Sequence, residues 1–234
     1  MTIQFDNVTL RYHYDNYDVL TDATFTLHDG VNTVLCDIQS GKGTICKLIL
    51  GNLAPTSGRV LINGRDASTL PNKEMNALYL SNTPTFFENR SVLYNLQYPL
   101  RVRNALKQNV ETVAQLADEF GLSELLDKKV KTLTSPQKLK LSLSRGLTVH
   151  RDVVLFDGFF DDTSWMELLS ELSQEQVVNR FDGTKVVLTT KADVITGNTV
   201  VMDGGQCVFQ GDADGAKQTL AQLEWLADKI QPYN

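Results

Sequence analysis

Apolar positions in this chain fall into short runs bounded by polar turns, and the character of the runs changes twice. Up to His28-Asp29-Gly30 they alternate with polar residues and are rich in Thr, Tyr and Phe. A period of two is what a half-buried strand requires, so this stretch predicts antiparallel strands beside a larger sheet. Further runs stand at 31–36 (VNTVLC), 59–63 (RVLIN), 77–80 (ALYL), 153–156 (VVLF), 185–189 (KVVLT) and 199–202 (TVVM). The runs at 153 and 186 are nearly uninterrupted, as expected of strands covered on both faces of a mostly parallel sheet. Asn63-Gly64 is a hairpin signal, because both residues tolerate positive φ. Between about 84 and 150 the strand pattern stops. Leu106, Val110, Val113, Ala117 and Phe120 mark one face of a helix ended by Gly121, and the interval reads as a helical insertion between two sheet strands. In the tail, Leu220, Leu223, Trp225, Leu226 and Ile230 predict a terminal helix that caps the core.

One segment carries a conflict. Residues 139–144 (LKLSLS) alternate apolar and polar, so pattern alone predicts a strand inside the helical interval.

Composition narrows the classes. A chain of 234 residues, 42% apolar and 21% charged, has ample material for one large domain with a subdomain. A net charge of −6, without a basic stretch, argues against a nucleic-acid surface. No apolar run approaches the roughly 18–20 residues that span a bilayer, and MTIQFDNVTL does not read as a signal peptide. The three cysteines, Cys36, Cys46 and Cys207, are odd in number and widely spaced, which indicates neither a disulfide framework nor a zinc site. Cys36 could be a reactive thiol near a helix N-terminus, although simple packing accounts for it more readily. The expectation is a soluble, cytoplasmic protein.

Candidate chemistry concentrates at Cys36 to Thr44, CDIQSGKGT. A phosphate-binding loop reads G-x-x-x-x-G-K-[ST]: its glycines let backbone N–H groups wrap the phosphates, its lysine reaches them, and its hydroxyl holds Mg²⁺. Gly41 and Lys42 stand in register, but Cys36 fills the first glycine slot and Gly43 the hydroxyl slot. The run 31–36 before it and the apolar helical run Ile45 to Leu50 after it, closed by Gly51, make a strand–turn–helix that aims a helix N-terminus at an anion. An ordinary connection with a surface lysine fits the segment equally well.

Other stretches supply the context. Tyr12 lies 30 residues before Lys42. Ser91-Val92-Leu93-Tyr94-Asn95-Leu96 resembles a T-V-x-x-N-[IL] motif, and Leu133-Thr134-Ser135-Pro136-Gln137 occupies the slot of an L-S-G-G-Q signature. Arg145-Gly146-Leu147, Val153 to Asp157 (VVLFD) and Val201 to Gly211 (VMDGGQCVFQG) follow at matching intervals. With these landmarks the chain resembles the nucleotide-binding domain of ABC transporters over roughly residues 3 to 212, and the importer-type ATPases in particular. The resemblance implies an α/β P-loop NTPase fold of the ABC type: a mostly parallel sheet core with an antiparallel β subdomain and a helical insertion. It implies one domain over 1–234, with a β and core part at about 1–83 and 150–212, a helical subdomain at about 84–149 and a C-terminal helix at 213–234. It also makes 139–144 the helix after the signature, with Ser135 as N-cap and Pro136 at its first position.

Carried over residue by residue, the resemblance assigns nucleotide contacts to Tyr12, Gln39, Ser40, Gly41, Lys42, Gly43 and Thr44. It assigns Mg²⁺ contacts to Asn82 and Asp157, and signature contacts to Thr134, Ser135, Pro136 and Gln137. Several slots are altered. The glutamate that polarises the attacking water is Gly158, and the switch histidine is Thr190; the histidines, His13, His28 and His150, stand elsewhere. Asn82 takes the place of the Q-loop glutamine, Gly43 lacks the Mg²⁺ hydroxyl, and Ser135-Pro136 replaces two glycines, proline also removing an N–H. Gln39 stands where glycine is preferred, at a cost on the order of 1–3 kcal/mol if its backbone is left-handed. Asp161 and Asp162, the nearest acids, fall after the strand tip.

Loss of a positioned general base costs roughly 10²- to 10⁴-fold in rate. Loss of a transition-state stabiliser costs roughly another 10²- to 10³-fold. The expectation is therefore a degenerate ATP-binding subunit: weak ATP binding, doubtful Mg²⁺ and little or no hydrolysis. Its implied partners are membrane subunits, with Phe86, Phe87, Tyr94 and Tyr98 as a docking cluster, and a competent second ATPase subunit. The alternative is a regulatory or scaffold protein that keeps the fold without nucleotide.

Overall fold

The structure, a computed structural model, describes residues 1–13, 16–37, 41–70, 75–106, 109–161 and 173–222. In chain order these form β1 (Ile3–Leu10), β2 (Leu20–Leu27), β3 (Val31–Cys36), α1 (Lys42–Ile49), β4 (Ser57–Ile62), β5 (Arg65–Asp66) and β6 (Ala77–Ser81). Then come α2 (Val92–Val102), α3 (Val110–Glu119), α4 (Ser135–Leu147) and β7 (Val153–Asp157). After these follow α5 (Gln174–Asn179), β8 (Thr184–Thr189), β9 (Asn198–Asp203), β10 (Gln206–Gly211) and α6 (Ala213–Gln222). The described chain divides into two compact units, one of residues 1–79, 152–161 and 182–222, the other of 80–151 and 173–181.

The first unit holds two sheets. One is antiparallel, in the order β2-β1-β4-β5. Its inward residues Ile3, Phe5, Val8, Leu10, Leu20, Ala23, Phe25 and Leu27 are all buried, and Phe5 stacks on Phe25 with ring centroids 4.3 Å apart. The alternation slips by one between Phe5 and Val8, where the register shifts and Asn7 takes φ +49°. Gly58 on β4 (φ +75°) makes that bulge possible: a Cβ there would lie 2.1 Å from the Asn7 carbonyl oxygen. The run at 59–63 belongs to this sheet, and Asn63 and Gly64, both at positive φ, turn it back so that Ile62 pairs with Arg65.

The other sheet runs β10-β9-β3-β8-β7-β6. β9, β3, β8 and β7 are mutually parallel, and β10 returns antiparallel to β9. Val153 to Phe156 and Val186 to Leu188 are fully buried, which is why their sequences lack alternation. Two polar side chains inside the sheet are satisfied locally: Asn32 donates to the His28 carbonyl at 2.8 Å, and Thr33 to that of Thr196 at 2.7 Å.

In the second unit the helical interval appears with two corrections. Leu106 lies outside α3, which starts at Val110 behind the N-cap Asn109. Asn104 at φ +55°, with the Asn109 amide donating to the Ala105 carbonyl at 2.8 Å, ends the preceding helix and restarts the chain. Val113, Leu116, Ala117 and Phe120 form the buried face, and Gly121 at φ +63° closes it.

Residues 139–144 lie in α4, where Leu139, Leu141, Ser142, Leu143, Ser144 and Gly146 are all buried. A helix covered on most of its circumference needs no 3.6-residue stripe, and this lets the strand-like alternation stand. Its N-cap is Thr134, not Ser135. The Thr134 hydroxyl accepts from the Gln137 N–H (3.4 Å) while the Gln137 side chain accepts from the Thr134 N–H (3.0 Å), a reciprocal capping box that puts Pro136 at the second helical position. Thr134→Ala is expected to cost about 1 kcal/mol of stability and Thr134→Ser almost nothing, as read by urea denaturation.

In the tail, helical structure is described for 213–222; Leu223, Trp225, Leu226 and Ile230 lie outside the described residues. Among the described residues no helix is long and apolar enough to cross a membrane.

Candidate functional site

The site in the first unit is assembled at the ends of β3, β7 and β8. β3 stops at Cys36, and α1 begins at Lys42 behind the N-cap Gly41, whose φ is +81°. The positive φ favours glycine there, and a Cβ would also crowd Leu20 and Val19 side-chain carbons at 3.1 Å. Gln39 and Ser40 lie outside the described residues. Neither a side-chain cap nor an acidic residue covers the first turn of α1. At Gly43 an added Cβ would meet nothing within 4 Å; the missing hydroxyl is a chemical difference that packing did not impose.

Thr44 is buried, and its hydroxyl lies 3.0 Å from the phenol of Tyr12. The Lys47 ammonium sits 5.6 Å from the centroid of the Tyr12 ring. Tyr12, to which the resemblance assigns a nucleotide contact, is therefore tied to α1 by its hydroxyl and by a cation on its ring.

Lys42 opens α1 after β3, and Asp157 ends β7 of the same sheet. β8 intervenes between β3 and β7, yet the ammonium of Lys42 comes within 3.7 Å of Asp157 Oδ1. A closer partner is Asp161, whose Oδ2 lies 3.0 Å from Lys42 Nζ. The same Oδ2 accepts from the N–H and the hydroxyl of Thr190 at 3.2 and 3.3 Å, and Oδ1 accepts from the hydroxyl of Thr189. The side chains of Lys42, Asp157 and Asp161 are 24%, 14% and 13% exposed, so the cluster is largely withdrawn from water and its charge pairing is only weakly screened.

The sequence names Asp161 among the nearest acids but gives it no role, because it lies past the strand tip. The chain folds back at Gly158 (φ +57°), where the Asp161 N–H donates to the Gly158 carbonyl at 3.1 Å. Phe159 and Phe160 anchor that turn, buried against Phe156 with centroids at 5.8 and 5.4 Å. A glycine followed by two large apolar residues and an acid was the available signal.

Asp157 has a second partner. The Tyr79 hydroxyl donates to Asp157 Oδ2 at 2.6 Å, and partial burial, then this bond, raises the Tyr79 pKa. Burial, reinforced by the charge of Asp157, likewise pushes the Cys46 thiol well above its usual range. Both groups stay protonated at neutral pH, and Tyr79 offers Asp157 its hydrogen.

The remaining assigned residues belong to the second unit. Asn82 is exposed just beyond β6. Thr134, Ser135, Pro136 and Gln137 open α4, where the N–H groups of Thr134 and Gln137 are consumed by the capping box and Pro136 has none. Ser135 supplies the one N–H of that turn outside the box. Phe87, Tyr94 and Tyr98 cluster at centroid distances of 4.6 to 6.4 Å, with Arg90 and Arg101 over the Tyr94 ring, and Phe87 and Tyr98 are partly open to solvent. Phe86 turns away to lie under the Arg145 guanidinium at 4.5 Å.

A mostly parallel sheet whose glycine turn sets a lysine at a helix N-terminus beside a strand-end aspartate defines a P-loop fold. The chain belongs to the ABC transporter family of ATP-binding domains, whose family model, described as "ABC transporter", matches residues 20–160. It is 29% identical over 198 residues to the molybdate/tungstate import ATP-binding protein WtpC of Thermococcus kodakarensis, covering 82% of this chain and 60% of that protein. It is 32% identical over 185 residues to the methionine import ATP-binding protein MetN of Corynebacterium jeikeium, covering 74% of this chain and 50% of that one. The chain spans only about half of the length of the curated relatives it matches, 60%, 47% and 58% for three WtpC proteins. Among solved structures, an ATP-binding subunit of an ABC transporter superposes with TM-score 0.75 at 19% identity, over 98% of this chain and 97% of that one. An ATP-bound Atm1-family exporter superposes with TM-score 0.77 at 22% identity, over all of this chain and 42% of that one. At such identities the likeness establishes the fold.

Proposed function

We propose that this protein is a degenerate ATP-binding subunit of an importer-type ABC transporter, binding nucleotide weakly and hydrolysing little or none itself. The observation that carries this reading is the state of the catalytic slots. Gly158 and Thr190 offer neither base nor switch, and the phosphate lysine between them is paired with two carboxylates. The family binds ATP and Mg²⁺ in general, but the donor set here suits a divalent cation poorly. Gly43 has no hydroxyl, and the two oxygens of Asp157 face Lys42 and the Tyr79 hydroxyl. A hard cation that demands several oxygen ligands finds few of them uncommitted.

The kinship with import ATP-binding proteins supports work on the cytoplasmic face beside membrane subunits, with Phe87, Tyr94 and Tyr98 as the docking cluster. A second, competent ATPase subunit would face this chain's altered signature in one of two composite sites. The alternative, a scaffold that has abandoned nucleotide, is favoured by the closure of Lys42 onto Asp161.

Calorimetric titration of the purified chain with ATP, with and without Mg²⁺, tests the reading. Weak binding that Mg²⁺ does not tighten is the expected result. Tight, Mg²⁺-dependent binding would overturn it, and no binding at all would favour the scaffold.

A further inference from the structure

The two positions that lost the base and the switch are also the positions that let Lys42 reach Asp161. At Gly158 a Cβ would lie 2.6 Å from Lys42 Nζ and 3.4 Å from Asp161 Oδ2. Only a hydrogen atom there leaves the ammonium room in its present place between Asp157 and Asp161. Thr190, in the switch slot, points both its N–H and its hydroxyl at the same carboxylate oxygen that holds Lys42. Thr189, 1% exposed, fixes the other oxygen. Gly158 and Thr190 are thus fitted to one another through Asp161, which the loss of activity alone would not require.

We propose that Asp161 is a built-in occupant of the phosphate-binding lysine, so that a polyphosphate binds here only by displacing its carboxylate from Lys42. This rests on the reading of the loop as a nucleotide site and specifies what limits its affinity. One ammonium between two carboxylates leaves a net negative cluster, which repels an incoming polyanion. The competent state, with Lys42 released, is then a minor one, and apparent affinity falls by the fraction in which it is populated. Asp161→Asn removes the charge while an amide oxygen can still accept from the Thr189 hydroxyl.

The test is calorimetric titration of the full chain with two probes, Mg²⁺-free ATP and inorganic tripolyphosphate; the second reports the phosphate site without the base. Asp161→Asn should bind both at least about tenfold more tightly than the parent chain, and adding Lys42→Ala should abolish the gain. Unchanged or weaker affinity in Asp161→Asn, at an unaltered melting temperature, would overturn the proposal. Should Asp161→Asn fail to fold, Gly158→Ala serves instead: its methyl would displace the ammonium from Asp161, and the same gain is expected. No gain in a folded Gly158→Ala would equally count against the latch. The underlying functional reading fails by a separate sign, Lys42-dependent ATP turnover in the parent chain.

Discussion

ATP turnover by the purified protein is expected to be indistinguishable from background, and Lys42→Ala should leave it unchanged. A working general base contributes roughly 10²- to 10⁴-fold and a positioned electrostatic stabiliser roughly 10²- to 10³-fold. With Gly158 and Thr190 in those slots the loss is about 10²-fold at the least if the two groups act as one unit, and about 10⁴-fold or more if they act independently. The structure adds that a side chain put back at this position carries a backbone cost and must push Lys42 aside. Gly158 sits at φ +57°, where a non-glycine residue costs on the order of 1–3 kcal/mol, and its Cβ would collide with the end of Lys42. Gly158→Glu with Thr190→His should therefore stay inactive, because the added side chain strains this left-handed turn and Gly43 still lacks the Mg²⁺ hydroxyl. A phosphate-release assay decides the matter. Robust Mg²⁺-dependent turnover that disappears in Lys42→Ala would refute both the predicted inactivity and the degenerate reading behind it.

ATP should also fail to drive this chain into a nucleotide-sandwich homodimer. A helix N-terminus grips phosphate with its unpaired N–H groups. In α4 the Thr134 and Gln137 N–H groups are bound within the capping box, Pro136 has none, and the Ser135 side chain stands where a glycine would let the phosphate approach. One donor is left where several are needed. A homodimer would repeat that fault in both sites, each facing a phosphate lysine already paired with Asp161. Sedimentation at high protein concentration, with and without Mg²⁺-ATP, should give the same distribution. A monomer-to-dimer shift reversed by removing nucleotide would show that the altered signature still clamps phosphate.

Much of this architecture is local and therefore legible in sequence. Period-two alternation up to Leu27, uninterrupted apolar strands at 153 and 186, the Asn63-Gly64 turn and the glycine before Lys42 each reflect a constraint acting within a few residues. The Thr134–Gln137 capping box was equally local, spaced three residues apart, and the family pattern drew attention to Ser135 instead. That position 158 carries no carboxylate and position 190 no imidazole was legible too, because a side chain absent from the sequence is absent from the fold.

Tertiary structure alone decided where the remaining charges went. Lys42 and Asp161 are 119 residues apart, and Thr189 and Thr190 reach Asp161 across 28 and 29 more. Their meeting depends on β8 lying between β3 and β7, and on a turn whose path is set by two buried phenylalanines. The alternating LKLSLS run became a helix for a similar reason, since burial on most sides removes the need for an apolar stripe. A sequence records which groups are present and their local preferences; pairing between distant side chains in a low-dielectric pocket follows from strand order and packing, which no short window contains.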